Sequence, residues 1–274
     1  MTWGFIGCGN LAQSLILGAL EQKILDPRSI LITNRTVKKS KAFGAKTGVG
    51  VAASNDELVQ KSDVIFLGTK PLEIHPVLEE VSRHDLSHKI IVCLASGVGA
   101  PLLKKYFGRS RSVFRVMANT PATIQKGLFG IYPIWAKPED TQQIFDLFSE
   151  LGEIVSLKND KEVDMITVGS ASGVGFIFSF MEEFETWLVK KGLDPKLART
   201  AVVETFLGAS ELAKIKTDQT LSSLREVVTS QKGTTFAGLK AFRAAGVPTG
   251  LRSGLDSALK RCQEIAKSLI QKQK

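Results

Sequence analysis

The feature that most constrains the fold is a glycine-rich turn at residues 7–12, directly after the first apolar run of the chain. Residues 2–6 have the pattern of a short strand, and a helical pattern begins at about Asn10. Between them, Gly7-Cys8-Gly9-Asn10-Leu11-Ala12 matches the GxGxxG/A pattern in the strand, turn and helix context that this pattern requires. The sequence therefore predicts a first strand and a first helix joined by a tight turn.

The residues of this turn suit the pyrophosphate of a dinucleotide. Gly7 permits the tight turn, Gly9 lets the backbone approach the phosphates, and Ala12 lets the helix pack closely on the strand. The free amides at the helix start, at Asn10 and Leu11, face the phosphates. A strand-to-helix turn without a ligand is the alternative, and the surrounding pattern disfavours it.

Later segments repeat the alternation of strand and helix. Unbroken apolar strands separated by helices are typical of a parallel sheet covered on both faces. The predicted fold class is an α/β Rossmann-type doubly wound parallel sheet followed by an all-α dimerisation domain. The further predicted strands lie at 30–32, 64–67, 90–94 and 113–116, with additional edge strands at 128–135 and 153–157 around a helix at 138–151.

From about residue 161 the strand signals stop. A long apolar-rich helix is predicted near 162–190, and Gly192 and Asp194-Pro195 separate it from a second helix that ends near Lys216. The predicted domains are a dinucleotide-binding Rossmann domain at 1–160 and a helical domain at 161–274. The long helix has more apolar residues than a small helical unit needs for its own core, which predicts burial against a second subunit.

Composition and charge limit the partners. With 43% hydrophobic and 23% charged residues, the chain is typical of a soluble globular protein, and no apolar stretch approaches the roughly 20 residues of a membrane span. We therefore expect a cytoplasmic protein without a membrane partner. The net charge of +9 comes from scattered lysines and arginines, which favours an anionic small molecule over nucleic acid. Cys8, Cys93 and Cys262 lack zinc-site spacing, so we expect reduced thiols and no metal.

The end of the second predicted strand favours NADPH over NADH. Asn34 stands where NAD enzymes carry an acid for the ribose 2′-hydroxyl, so no carboxylate repels a 2′-phosphate. Arg35 can present its guanidinium to that phosphate, with Asn34 and Thr36 as further hydrogen-bond partners. The alternative is that Arg35 and the lysines after it form a solvated helix start, and use of NADH also stays open.

Two more segments follow predicted strands at the carboxyl edge of the sheet, where ligands of open α/β folds bind. Thr69-Lys70-Pro71 comes after strand 64–67, and Asn119-Thr120-Pro121 comes after strand 113–116. Proline also suits the first position of an ordinary helix. Thr69, Lys70, Pro71 and Asn119 are therefore candidate cofactor residues, with a plain helix start as an equal alternative.

A polar glycine loop interrupts the helical domain within residues 227–239. Gly233, Thr234 and Thr235 offer free amides at a helix start, and the loop adds several hydroxyl groups, which suits a carboxylate. The same residues would also serve as a hydroxyl-rich N-cap. Both interpretations stay open at this point.

The order of these motifs resembles the pyrroline-5-carboxylate reductase family across nearly the whole chain. The shared elements are Gly-Phe-Ile-Gly-x-Gly-Asn, Asn-Arg, Lys-Pro, Asn-Thr-Pro, a Ser/Gly-rich segment and the Thr-Ser…Gly-Thr-Thr loop. The resemblance implies a homodimer that interlocks through the helical domains, with each active site formed by one Rossmann domain and helices of both subunits. Higher oligomers built from dimers also occur in that family.

The resemblance further implies a reaction and residue roles. NADPH would deliver a hydride to the imine carbon of 1-pyrroline-5-carboxylate and so form L-proline, the last step of proline biosynthesis. Ser230, Gly233 and Thr234 would hold the substrate carboxylate, and Thr235, the candidate catalytic residue, would hydrogen-bond the ring nitrogen. Because a protonated imine is already electrophilic, the protein mainly has to align it with the nicotinamide.

Two segments depart from the family pattern. Ser230-Gln231-Lys232-Gly233 replaces Ser-Pro-Gly-Gly, and Ser170-Ala171-Ser172-Gly173-Val174-Gly175-Phe176 replaces Ser-Gly-Ser-Gly-Pro-Ala-Tyr. Lys232 either attracts an anionic substrate or indicates a different one. The alternatives are a related NADPH-dependent imine or keto-acid reductase and a non-catalytic NADPH-binding dimer, which the retained loop residues disfavour. A β-hydroxyacid dehydrogenase is also disfavoured, since residues 169–184 contain no lysine to act as an acid.

Overall fold

The structure is a computed structural model, and it describes residues 1–108 and 112–271. The chain divides into two compact units: a sheet unit, formed by Met1–Gly173 with Ala258–Lys274, and a helical unit, formed by Val174–Ser257. Residues 272–274 of the predicted second domain lie outside the described residues.

Within the described residues, the sheet unit contains one sheet of eight strands in the order β3-β2-β1-β4-β5-β6-β7-β8. β1 lies in the middle of this sheet, between β2 and β4. The strand order therefore reverses at β1, as it does at the ligand-binding crevice of doubly wound folds. The strands are β1 (Trp3–Ile6), β2 (Ile30–Thr33), β3 (Gly50–Val51), β4 (Val64–Leu67), β5 (Ile90–Cys93), β6 (Ser112–Met117), β7 (Gly127–Trp135) and β8 (Gly152–Ser156).

Helices connect these strands and cover both faces of the sheet. Two hydrophobic clusters form the core, one on each side, and every residue of β1, β4, β5 and β6 is buried. This burial explains why these strands have almost entirely apolar sequences, with Ser112 and Arg115 of β6 as the polar exceptions. The helices are α1 (Asn10–Glu21), α2 (Val37–Thr47), α3 (Asn55–Lys61), α4 (Ile74–Ser82), α5 (Ala100–Phe107), α6 (Pro138–Ser149) and α7 (Asp160–Ile166).

The predicted fold class is confirmed, with two differences in the sheet. First, β7 runs antiparallel to β6, whereas all the other neighbouring strands of the sheet, including β7 and β8, are parallel. The connection from β6 to β7 holds one short 3-10 turn, Thr120–Ile124, which leaves no room for the crossover helix that parallel strands need. Second, β3 has only two residues and was not predicted.

The helical unit follows a π-helical turn at Thr167–Ala171. Asp194 caps the second of its helices by accepting hydrogen bonds from the amides of Lys196 and Leu197, and Pro195 occupies the first turn, as predicted. The helices from here on are α8 (Gly173–Lys190), α9 (Pro195–Ile215), α10 (Leu221–Val227), α11 (Thr234–Ala244) and α12 (Val247–Gln271), of which α12 belongs to the helical unit only as far as Ser257.

The compact units do not coincide with the predicted domains. The sheet unit includes α7 and the last part of α12. Asp160 and Asp164 of α7 pair with the buried Arg115 of β6, and His75 of α4 hydrogen-bonds the carbonyl of Leu269 at 2.7 Å. The domain boundary at residue 160 stays a prediction.

Candidate active site

The turn between β1 and α1 has the geometry of a dinucleotide-binding loop. Gly7 adopts a φ of +89°, and a Cβ there would lie 2.6 Å from the backbone nitrogen of Thr69, so only glycine fits. A Cβ at Gly9 would meet no heavy atom within 4 Å, which leaves open space above the loop. Gly9 is the N-cap of α1, and no side chain caps the helix and no acid lies in its first turn. The start of α1 thus offers free amides to an anion.

The loop after β2 places Asn34, Arg35 and Thr36 beside this turn. The side-chain amide of Asn34 donates to the carbonyl of Cys8 at 3.3 Å and holds the two loops together. Arg35 is exposed, and its guanidinium pairs with Glu73 at 2.6 Å. Thr36 is the N-cap of α2 but makes no side-chain cap bond, and the first turn of α2 contains no acid.

A cavity of about 280 Å³ opens next to these residues. Asn34, Arg35 and Ser40 contribute to its lining. The Ser40 hydroxyl is buried, and within the described residues it has no hydrogen-bond partner. A buried polar group without a partner is costly in a folded protein. The arrangement fits the phosphate-bearing ribose of a dinucleotide, which would give this hydroxyl a partner.

Thr69, Lys70 and Pro71 follow β4 on the other side of β1. Pro71 begins a 3-10 turn, so the plain helix-start interpretation accounts for the proline. Thr69 is different, because its hydroxyl is buried and, in the part of the chain that the structure describes, makes no hydrogen bond. Lys70 is exposed. The Thr69 hydroxyl is therefore a candidate ligand contact, whereas Pro71 by itself gives no indication of one.

Asn119 lies after β6 and uses both ends of its side-chain amide internally. It donates to the Ser170 hydroxyl at 2.9 Å and accepts from the Leu128 amide at 2.9 Å. Ser170 belongs to the π-helical turn, a rare element that is frequent at functional sites. Asn119 thus positions the Ser/Gly-rich segment, and its role toward the cofactor stays a prediction.

A buried charge cluster near this segment was missed by the sequence analysis. Arg115 is 1% exposed and pairs with Asp160 at 2.8 Å and Asp164 at 2.7 Å. Asp160 also accepts from the Ala100 amide at the start of α5. The cluster joins β6, α5 and α7. Its sequence signal was a lone arginine in an apolar strand, together with two acids four residues apart on one later helix face.

The three cysteines are free and buried. Burial raises the pKa of Cys8 to about 12 and the pKa of Cys93 to about 11, so both thiols are protonated at neutral pH. Among the described residues no group of three His, Cys, Asp or Glu side chains could hold a metal ion. Cys8 therefore contributes backbone rather than a thiolate to the loop between β1 and α1.

The predicted substrate loop lies between α10 and α11 in the helical unit. Gly233 is the N-cap of α11, its amide donates to the carbonyl of Ser230 at 3.0 Å, and a Cβ there would lie 2.4 Å from the Ser230 hydroxyl oxygen. No side chain caps α11. Within the described residues, the hydroxyls of Ser230, Thr234 and Thr235 have no hydrogen-bond partner, although all three residues are exposed. The N-cap interpretation of these hydroxyls is therefore wrong.

Lys232 takes the left-handed conformation in this loop. Its φ is +61°, a value that glycine tolerates and lysine adopts only with strain. The position is the one at which the family pattern has a permissive glycine. Lys232 therefore has a positive φ of the kind that a glycine at this position would adopt more readily.

The fold and these two sites define a Rossmann-type, dinucleotide-dependent oxidoreductase with a separate helical unit. Residues 2–97 match the family model described as NADP oxidoreductase, coenzyme F420-dependent, and residues 160–265 match the model of pyrroline-5-carboxylate reductase dimerisation. The chain belongs to the pyrroline-5-carboxylate reductase family. It is 31% identical over 266 residues to the pyrroline-5-carboxylate reductase of Haemophilus influenzae, covering 95% of this chain and 96% of the relative.

Solved structures agree with this assignment. A pyrroline-5-carboxylate reductase from Coxiella burnetii is similar with a TM-score of 0.82 and 28% identity, covering 97% of this chain and 98% of the other. A pyrroline carboxylate reductase of Plasmodium falciparum, solved with NADP bound, is similar in fold with a TM-score of 0.87 and 24% identity, covering 97% and 98%.

The dimerisation model explains the apolar surface of the helical unit. Asp160–Lys190 is the single helical stretch, within the described residues, that is long and apolar enough to cross a membrane, with a mean hydropathy of 1.4 in its most apolar window, only 17% of which is buried. A long apolar-rich helix was predicted near 162–190, but a stretch apolar enough to pass for a membrane span was not expected. Because it lies inside the residues that match the dimerisation model, its exposed side chains are accounted for by a second subunit.

Proposed function

We propose that this protein is a pyrroline-5-carboxylate reductase that uses NADPH to reduce 1-pyrroline-5-carboxylate to L-proline in the cytoplasm. The observation that carries the proposal is the loop at residues 230–235, which keeps the serine, glycine and threonines of the family at an uncapped helix start. The protein is an NADPH-dependent oxidoreductase, and its dimerisation segment supports a homodimer. Higher oligomers built from dimers belong to the same proposal.

The loop is suited to an anionic cyclic imine. The amide of Thr234 and the hydroxyl of Ser230 would hold the carboxylate, because the start of α11 carries partial positive charge and no acid lies in its first turn. The amide of Gly233 was expected to be free but donates to the Ser230 carbonyl, so Gly233 would contribute the close approach of the backbone to the Ser230 hydroxyl. The Thr235 hydroxyl would accept a hydrogen bond from the protonated ring nitrogen. These contacts fix the ring at both of its polar ends and leave the imine carbon free to react.

The loops that follow β1, β2 and β4 supply groups suited to NADPH. The uncapped start of α1 and the open space above Gly9 suit the pyrophosphate, to which Asn10 and Leu11 present amides. Asn34, Arg35 and Thr36 would hold the 2′-phosphate. The nicotinamide half would be bordered by the residues that follow β4 and β6, namely Thr69 with its buried hydroxyl, Lys70, Pro71 and Asn119. When bound, NADPH supplies a hydride, the C=N bond becomes a single bond, and the nitrogen keeps its proton.

The test is NADPH oxidation by the purified protein with 1-pyrroline-5-carboxylate, with proline identified as the product and NADH run in parallel. Thr235→Ala should lower kcat about tenfold or more while the affinity for NADPH is retained, because one positioning hydrogen bond is lost. Thr217→Ala, an exposed threonine between α9 and α10, is the matched control and should have full activity.

The outcomes separate the candidate functions. Turnover with proline as product and a selective loss in Thr235→Ala supports the proposal. Binding of NADPH without turnover of this substrate contradicts it. The replacement of the usual Pro-Gly pair by Gln231-Lys232 would then favour a related imine or keto-acid reductase, which is tested by offering open-chain keto acids and other cyclic imines.

A further inference from the structure

The ion pair between Arg35 and Glu73 lies across the cofactor loop of the sheet unit. Arg35 follows β2 and Glu73 follows β4, and both strands flank β1, which leads into the glycine turn. The two side chains meet at 2.6 Å, so they bridge the loops on either side of this turn. Glu73 is the residue before α4, where a carboxylate also interacts favourably with the helix dipole.

We propose that Glu73 is a specificity-determining residue that competes with the 2′-phosphate of NADPH for Arg35. The proposal rests on the proposed function, in which Arg35 binds that phosphate. Glu73 occupies Nη1 of the guanidinium, so a phosphate that binds the edge containing Nη1 through two hydrogen bonds has to displace the carboxylate. NADH has no 2′-phosphate and leaves the pair intact.

The charges determine the direction of the effect. A phosphate monoester carries about −1.5 to −2 charges at neutral pH and forms bidentate hydrogen bonds with arginine, so it displaces a single carboxylate. Breaking the ion pair with Glu73 takes up part of the free energy that the phosphate gains from Arg35. Glu73 thus lowers the affinity for NADPH and reduces the preference over NADH that Arg35 provides.

The surroundings of Arg35 contain the other groups needed for this exchange. Ser40 contributes a buried hydroxyl without a partner to the adjacent cavity, and the start of α2 has no acid and no side-chain cap. A phosphate that takes the guanidinium from Glu73 therefore finds further donors nearby. The cavity lining also includes Glu80, whose carboxylate accepts a hydrogen bond from the side-chain amide of Asn55 at 2.7 Å. The carboxylate of Glu73 has solvent available to it, because its side chain is 40% exposed.

The experiment measures the dissociation constants of NADPH and NADH by direct titration, together with adenosine 2′,5′-bisphosphate and AMP as fragments. Glu73→Gln keeps the size of the side chain and removes its charge. We expect about threefold to fivefold tighter binding of NADPH and of the bisphosphate, as for the loss of an exposed ion pair, with NADH and AMP unchanged. These titrations need no turnover.

Glu79→Gln is the matched control. Glu79 lies on α4 and forms a similarly exposed ion pair with Arg83 at 2.9 Å, so the substitution removes the same charge from the same segment. It should leave all four dissociation constants unchanged. An equal tightening in Glu79→Gln would mean that net charge causes the effect, and the proposal would be overturned.

Arg35→Ala separates this proposal from the proposed cofactor site. It should reduce the preference for NADPH over NADH, and Glu73→Gln should have no further effect in the Arg35→Ala background. If Arg35→Ala keeps the preference, the assignment of Arg35 to the phosphate is wrong. A different result refutes only the competition: Arg35→Ala loses the preference for NADPH, but Glu73→Gln does not tighten NADPH binding, or it tightens the binding of NADH equally.

Discussion

The two compact units differ in how they satisfy their apolar side chains. The sheet unit contains all the hydrophobic clusters of the described residues, whereas only Ala198 and Val202 are buried within residues 174–257. The helical unit instead exposes Phe178 to 61% and Trp187 to 58%. Fully burying a side chain of this kind contributes about 1.5–3 kcal/mol. The sheet unit therefore has a core of its own, and the helical unit acquires its core through dimerisation.

The largest expected effect tests how much the buried contacts of the sheet unit contribute to its stability. Asp164→Ala leaves the guanidinium of Arg115 buried with one of its two partners missing, and such a loss costs about 3–5 kcal/mol. The free energy of unfolding should fall by about this amount in urea denaturation at fixed protein concentration. Glu79→Ala, which breaks the exposed pair with Arg83, should change it by less than about 1 kcal/mol. Equal losses in the two variants would contradict the special role of the buried cluster.

The second prediction concerns the helical unit. Phe178→Asp on α8 should weaken the dimer by at least about a hundredfold, because it removes an aromatic contact and buries a charge. Sedimentation or light scattering over a range of concentrations measures the change. Ile270→Asp, at a side chain exposed to 56% in the part of α12 that belongs to the sheet unit, is the control and should remain dimeric. A dimer that survives Phe178→Asp unchanged would place the interface elsewhere.

The same difference explains how far the sequence could predict the structure. The buried strands could be predicted because each is a largely apolar run, and the glycine turn could be predicted because Gly7 and Ala12 have fixed steric roles. The two-residue β3 has too little periodicity to detect, and the direction of β7 depends on the length of a connection. The pair of Arg35 with Glu73 joins residues 38 positions apart and leaves no local pattern.

The candidate site shows the same limits. The pattern located the loop at residues 230–235 but left open whether its hydroxyls cap α11. Only the backbone placement of Gly233 as the N-cap answers that question. Likewise, spacing could not distinguish Thr69 from Pro71, since the difference lies in a buried hydroxyl without a partner. Tertiary surroundings, rather than residue type, carried the missing information.

The third prediction separates cofactor binding from folding within the sheet unit. Gly9 has an ordinary φ of −84° and open space around it, so Gly9→Ala should keep the free energy of unfolding while weakening NADPH binding about tenfold or more. Gly7→Ala should lose stability by about 1–2 kcal/mol or more as well, because of its positive φ and the contact with Thr69. Titration with NADPH and thermal unfolding measure the two effects. Unchanged NADPH affinity in Gly9→Ala would mean that the pyrophosphate does not bind at this loop.

The smallest expected effect compares two strained lysines, one in each unit. Lys23 in the sheet unit and Lys232 in the helical unit have φ values of +56° and +61°. Replacing either with glycine relieves the strain but adds freedom to the unfolded chain, so each variant should gain about 0.5 kcal/mol in the free energy of unfolding.

Only Lys232→Gly should also affect catalysis. If Lys232 attracts the substrate carboxylate, the substitution raises the KM for 1-pyrroline-5-carboxylate about twofold to fivefold and leaves the KM for NADPH unchanged, whereas Lys232→Arg keeps the wild-type value. Lys23→Gly should leave both constants unchanged. An unchanged KM in Lys232→Gly would mean that the strain at this position serves no substrate contact. The lysine would then be a tolerated replacement in a loop whose shape is set by Ser230 and Gly233.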